Sequence, residues 1–272
     1  NATAYALNNH TLLDTKQAHD SLQGLGEGVT VAIIDSAIDV THPDLAHVNF
    51  QDGYNFVHNI AQPVNPSDGP HYHGTHVAGI VAAAIAENDD DDEATGVSPD
   101  VNIVPLTVLS NQGTGSTTNV ARAILYAAGD CVTNSSGQTV CGPENPVDVI
   151  NLSLGPVIPD QIETCQEAAA NGYLDENAFM ESALQYAASQ GVMVFAAAGN
   201  DSLECFGWPA ASDNALAISA AEQGGVELTG FSNRSSSEPG APPIFIGAPG
   251  RLIQSLYPAS AYGVLSGTSM AK

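Results

Sequence analysis

Ser269 lies in Gly267-Thr268-Ser269-Met270-Ala271-Lys272, a run of small residues where the backbone can bend sharply and leave a hydroxyl uncovered. Met270 and Ala271 read as the opening of a helix, whose N-terminal dipole favours negative charge, so the hydroxyl suits a nucleophile. Taken alone, a Ser in such a Gly/Thr/Ser turn is most often a plain turn residue or an N-cap. Asp35 closes the apolar run Val29-Thr30-Val31-Ala32-Ile33-Ile34, and the carboxyl end of a buried strand is where open α/β sheets gather functional groups. A turn or cap Asp is the alternative reading. Three histidines, His71, His73 and His76, stand close together. As metal ligands they lack the Glu or Cys of a zinc spacing, since H-G-T-H is not H-E-x-x-H.

These residues need a scaffold. Residues 1–28 read as a polar surface lead-in with a short helix around Thr15–Leu22. The β-branched run Val29–Asp35 shows no clean alternation and predicts a parallel strand buried on both faces. Pro- and Asp-rich loops from Thr41 to Pro70 deliver the histidines, and from Gly74 onward small and apolar residues predict a buried helix. Strands at Val101–Leu109, Val147–Leu152, Val192–Ala198 and Ala215–Ala221 alternate with helices at Thr117–Ala128 and Asn177–Gln190. Recurrent β-α-β units predict an α/β fold with a doubly wound, mainly parallel sheet and helices on both faces.

At 272 residues and 43% hydrophobic content the chain can bury a sizeable core, and one domain is the default. Five Lys+Arg against 30 Asp+Glu give a net charge of −25, which repels nucleic acid and anionic membrane and marks a strongly hydrated, acidic surface. No run approaches a membrane span, and the N-terminus lacks the basic and apolar regions of a signal peptide, so a secreted protein would be in its processed form. Four cysteines fit two disulfides and an oxidising compartment, with three pairings open. The segment Cys131 to Cys141 reads as a loop closed by its own disulfide. Glu87-Asn88-Asp89-Asp90-Asp91-Asp92-Glu93 is either a solvated tip or a cage for a hard cation, without the EF-hand spacing.

Asp35 in Ile-Ile-Asp-Ser-Ala-Ile-Asp, His73 in His-Gly-Thr-His-Val-Ala-Gly and Ser269 in Gly-Thr-Ser-Met-Ala resemble, in this order, the three signature blocks of the subtilisin-like serine proteases. The resemblance covers nearly the whole chain; the related sedolisins have a Glu where His73 stands. It implies a secreted endopeptidase working through an acyl-enzyme on protein or peptide substrates. Ser269 would attack the scissile carbonyl, His73 would move the proton, and Asp35 would orient and stabilise the imidazole. His71 and His76 would be bystanders. Gly199-Asn200 resembles the oxyanion block, with Asn200 working beside the Ser269 backbone N–H.

Further blocks imply the substrate path. Gly113-Thr114-Gly115 and Ser153-Leu154-Gly155 resemble the segments between which an extended peptide lies as an added strand, a weakly selective mode. Ala198 and Gly199 are further substrate-binding candidates, and Gly207-Trp208-Pro209-Ala210 resembles the far wall of the first pocket, where Gly207 would leave it deep for large apolar P1 side chains, with Trp208 beside a more distant subsite. The positions of Cys165 and Cys205 suggest a bridge between the cleft walls, leaving Cys131 with Cys141. Asp44 matches a calcium ligand of many relatives whose partner loop falls at the acidic run, which makes Asn88, Asp90 and Asp92 candidate ligands and calcium a structural cofactor.

The chain departs from the pattern twice. Ala37 stands where Gly is usual, and relatives continue past the Ser block with a small residue, a Pro and a long buried helix where this chain has Lys272. Residues 1–272 are therefore expected to be a single catalytic domain lacking its C-terminal part, which would be a further partner for an otherwise monomeric chain. The competing reading is an inactive fragment or pseudoprotease that binds peptides or acts as a scaffold. A nucleotide-binding α/β protein is disfavoured because neither G-x-G-x-x-G nor a P-loop follows the first strand.

Overall fold

The computed structural model describes residues 21, 24–61, 71–85, 94–223, 227–235 and 245–272. The helix expected around Thr15–Leu22 and the acidic run 87–93 lie outside them, Ser21 apart. In chain order the elements are β1 (Thr30–Ser36), β2 (Asn49–Phe50), β3 (Tyr54–Asn55), α1 (Tyr72–Ala82), β4 (Asn102–Leu109) and α2 (Thr117–Ala127). Then come β5 (Cys131–Thr133), β6 (Thr139–Cys141), β7 (Val149–Leu152), α3 (Cys165–Ala170), α4 (Ala178–Ser189) and β8 (Met193–Ala197). The last are β9 (Leu216–Ala221), β10 (Phe245–Pro249), β11 (Ile253–Tyr257) and β12 (Ala261–Leu265).

The main sheet is 8-stranded, ordered β10-β9-β8-β7-β1-β4-β2, with β3 also paired to β4. Every pairing within it is parallel. Strand β1 shows why its sequence has no alternation. Ala32 and Ile34 face a core shared with α2 and α4, whereas Val31 and Ile33 face the opposite core shared with α1 and β11. Both sides of the strand are dry, so both sets must be apolar. Helices thus cover the two faces, the doubly wound arrangement expected.

Chain order reverses around β1, which lies between β4 and β7. A crevice opens at such a reversal, outside the carboxyl ends of the strands. Asp35 leaves β1 there, and the segments after β7 and β8 carry Ser153 and Asn200 to the same end. Helix α1 starts two residues before Gly74, because the His71 side chain caps it by accepting from the His73 N–H at 3.3 Å. Gly74 permits its close approach to β1: a Cβ there would stand 2.2 Å from the Ser36 carbonyl oxygen. The Gly74 N–H meanwhile donates to Ser36 Oγ at 2.9 Å.

Candidate active site

Asp35 is fully buried at the end of β1, and the His73 imidazole reaches it from the first turn of α1. His73 Nδ1 lies 2.8 Å from Asp35 Oδ1 and 3.0 Å from Oδ2, so the carboxylate accepts the Nδ1–H and leaves Nε2 as the basic nitrogen. Burial disfavours the imidazolium. The Asp35 charge and hydrogen bond outweigh that effect, with the nearby Lys272 opposing, and the net shift of the His73 pKa is upward. His76, three residues on, is buried and neutral. Burial lowers its pKa to about 4, against Nε2 contacts with the carbonyls of Ile253 at 3.1 Å and Gly263 at 3.2 Å.

Ser269 sits in a short 3-10 turn, Thr268–Met270, rather than in the opening of an α-helix. Its Oγ donates to the Ser153 carbonyl at 3.2 Å, and Ser153 Oγ donates to the Ser269 carbonyl at 3.2 Å. The hydroxyl therefore points along β7's extension rather than at His73 Nε2. Asn200 Oδ1 accepts from the Thr268 N–H at 2.9 Å and from Thr268 Oγ at 3.2 Å. That fixes the amide orientation and leaves Nδ2 as a donor.

Two cavities flank the segment 154–157. The larger, about 900 Å³, is lined by His71, His73, Gly113, Thr114, Gly115, Ser153, Leu154, Gly155 and Trp208. The smaller, about 240 Å³, is lined by Leu154, Gly155, Ala198, Gly199, Asn200, Gly207 and Ser269. The structure thus brings all the sequence-predicted substrate-binding residues to these two walls. Gly207 does not leave open depth on its own account, because the space its side chain would fill is taken by Pro156, whose Cγ lies 2.4 Å from an ideal Cβ position.

The structure joins Cys131 to Cys141 across the β5–β6 hairpin, and Cys165, at the start of α3, to Cys205. Asp44 stands apart from the triad. Its Oδ2 accepts from the Tyr262 hydroxyl at 2.7 Å, and the other candidate ligands Asn88, Asp90 and Asp92 lie outside the described residues. Among the described residues no group of three or more His, Cys, Asp or Glu is placed to hold a metal. Ala37 is buried with a φ outside the positive region, so the usual Gly is not required there.

Three contributors went unread in the sequence. Asn233 is buried and accepts through Oδ1 from the N–H groups of Asp201 at 2.9 Å and Leu203 at 3.0 Å, shaping the turn after Asn200. Thr268 orients Asn200. Lys272 turns its ammonium inward onto the Leu152 carbonyl, where burial holds its pKa well below the usual value, partly offset by Asp35. The lone signals for these were an ordinary Asn, Thr and Lys, whose partners in two cases lie 30 and 120 residues away.

A buried Asp bonded to an imidazole, a turn serine and an oriented amide at the carboxyl ends of parallel strands define a serine hydrolase of the α/β class. The subtilase family model matches residues 26–271. The chain belongs to the subtilase family of serine peptidases. It is 34% identical over 259 residues to thermitase from Thermoactinomyces vulgaris, covering 95% of this chain and 75% of that protein. It is 35% identical over 248 residues to subtilisin Savinase from Lederbergia lenta, covering 90% and 72%. The same identity to an alkaline protease of Alkalihalobacillus alcalophilus covers 90% of this chain and 51% of that protein, so the chain spans about half of that relative's length. Among solved structures, a cold adapted subtilisin-like serine proteinase superposes with a TM-score of 0.67 at 27% identity, over 92% of this chain and 73% of that one. Sphericase does so with a TM-score of 0.67 at 29% identity, over 93% and 76%.

Proposed function

We propose that this chain is the catalytic portion of a secreted endopeptidase that cleaves peptide bonds through an acyl-enzyme. The observation that carries the reading is the His73–Asp35 hydrogen bond at 2.8 Å, with His73 lining the larger cavity and Ser269 and Asn200 the smaller, on the two sides of segment 154–157. An extended peptide lies between 113–115 and 153–155, pairing by its backbone, with its P1 side chain in the smaller cavity. Ser269 Oγ, deprotonated by His73 Nε2, attacks the carbonyl; Asp35 stabilises the resulting imidazolium. The oxyanion is met by Asn200 Nδ2 and the Ser269 N–H. His73 then returns the proton to the leaving amine, and water repeats the cycle on the ester.

Broad specificity follows from backbone recognition, and the apolar walls of Leu154, Val157, Ala197 and Ala198 support large P1 side chains. Secretion is supported by two disulfides, which persist in oxidising compartments. No helix among the described residues is long and apolar enough to cross a membrane. Calcium is proposed as a structural cofactor resting on Asp44 and the acidic run, since a Ca²⁺ site needs about six to eight oxygens and Asp44 supplies at most two. Its test is chelation: a fall in melting temperature in excess chelator is expected, and an unchanged one removes the metal.

The catalytic reading is tested with a chromogenic tetrapeptide carrying Leu at P1. Hydrolysis by the wild type and its loss in Ser269→Ala is the expected result. Unaltered hydrolysis in that variant, or peptide binding without turnover in the wild type, would overturn it; the latter outcome is the one a scaffold protein gives.

A further inference from the structure

His71 has no place in the triad, yet it holds the backbone of the residue that moves the proton. Helix α1 begins at Tyr72, so His73 is its second residue, and the His73 N–H is one of the first-turn donors that no helical carbonyl can reach. His71 Nδ1 accepts it at 3.3 Å. The next N–H, that of Gly74, goes to Ser36 Oγ of β1 at 2.9 Å. No acidic side chain stands in the first turn to share the task. Two consecutive amides thus fix the turn that carries His73 toward Asp35, and His71 supplies one of the two acceptors.

The His71 ring is itself held. Its centroid lies 4.2 Å from that of Tyr72, whose ring stacks on Tyr257 of β11 at 5.4 Å and 12°. The 113–115 loop closes on its edge: a Cβ at Gly113 would stand 3.7 Å from His71 Cε1 and 3.8 Å from Nε2. An acceptor at Nδ1 requires the neutral ring with its proton on Nε2. The charged ring carries a hydrogen on both nitrogens, so the hydrogens of Nδ1 and of the His73 amide would then face each other. A cation at the start of a helix also opposes the helix dipole. Among the described residues the ionisable groups about His71 are His73 and Tyr72 on α1, Asp35 on β1 and, behind Tyr72, Tyr257 on β11; residues 110–116 contain none. Burial and the His73 charge lower the His71 pKa, with Asp35 opposing. The His73 pKa is raised, so as pH falls His73 binds its proton first and His71 second.

We infer that His71 is a positioning residue of the peptidase: the neutral ring sets His73 by accepting its backbone N–H, and protonation of that ring releases the cap and stops catalysis, an inference that rests on the endopeptidase reading. Two substitutions separate the acceptor from the ring, each assayed with the chromogenic Leu tetrapeptide. His71→Ala removes the cap and is expected to lower kcat about tenfold at pH 8 through misplacement of His73. His71→Asn supplies an amide oxygen, a favoured cap that does not titrate, and is expected to restore kcat to within about twofold of the wild type. At the acid end the wild-type log kcat/KM should fall with a slope approaching two, one proton for each histidine, whereas His71→Asn should keep a slope of about one. Both slopes are read over the range in which circular dichroism shows the fold unchanged. His71→Ala as active as the wild type, His71→Asn no better than His71→Ala, or equal acid slopes in the wild type and His71→Asn would overturn the inference while leaving the peptidase intact. Should His71→Ala not fold, the slopes of the other two proteins decide. Turnover by none of the three, the wild type included, would sink the endopeptidase reading and this inference together.

Discussion

Ser269 and Ser153 hold each other by reciprocal hydrogen bonds, each hydroxyl donating to the other's carbonyl at 3.2 Å. The pair ties the nucleophile's turn to the carboxyl end of β7, and so to the strand beside Asp35. Ser153→Ala leaves the buried Ser269 carbonyl without that donor, and a loss of about 1–3 kcal/mol is expected in denaturant melts. Because the same bond sets where Ser269 sits, kcat should fall with it, by about 10²-fold for a displacement of 1 Å. A stable, fully active variant would show that the turn is held by other contacts.

The Asp35 charge and hydrogen bond raise the His73 pKa against burial. His73 must be neutral to act as base, so kcat/KM should rise with pH through a value above 6.5, the ordinary imidazole pKa. Asp35→Asn removes the raising influence: its acid limb should move to lower pH, and kcat should fall about 10⁴-fold because the tautomer is no longer fixed. A pH–rate profile of both proteins checks this. An acid limb that stays in place would assign it to another group.

Thr268 holds the Asn200 amide with Nδ2 free to donate. Asn200→Ala is therefore expected to reduce kcat by about 10² to 10³ with KM nearly unchanged, the size found for the equivalent donor in subtilisin. A change confined to KM would mean that Asn200 binds the ground state only.

His76 offers a test of stability rather than catalysis. Its folded pKa is about 4 and its unfolded value 6.5, so the unfolded chain binds the proton first as pH falls. Its contribution is complete above pH 6.5 and is lost as pH falls toward 4, with a ceiling on the order of 3 kcal/mol. His76→Gln should be less stable at pH 8 yet lose less on acidification to pH 4.5, as read from urea melts at both values. Equal acid losses in the two proteins would show that His76 does not set them.

The Cys165–Cys205 bridge spans 40 residues and Cys131–Cys141 spans 10. Loop-closure entropy gives about 4 kcal/mol for the longer and about 3 kcal/mol for the shorter. Replacing both cysteines of the longer bridge by serine should cost more in melting temperature than replacing both of the shorter. The reverse order would mean that the hairpin's cross-link carries more than its loop length allows.

Elements buried on both sides were legible in the sequence, and marginal ones were not. Strand β1 announced itself because both of its faces are apolar, and Asp35 at its end marked the site. Helix α3 is six residues long, too short for a periodicity to show, although Thr164 and Glu167 form the capping box that starts it. The β11–β12 hairpin pairs without a break, but Gln254, Ser255 and Gly263 interrupt its apolar pattern, and it hides between motifs. In the site, the triad and Asn200 sit in local motifs, whereas Asn233, Lys272 and the Ser153 pairing act through partners far along the chain. Spacing cannot reveal such contacts, because the fold alone makes them.

The most direct measurement is labelling of the native protein with a fluorophosphonate, followed by peptide mapping of the modified residue. An activated serine in this centre predicts a single adduct on Ser269, absent in Ser269→Ala and strongly slowed in His73→Ala. No adduct on the folded protein, or an adduct on any other serine, would contradict the catalytic assignment.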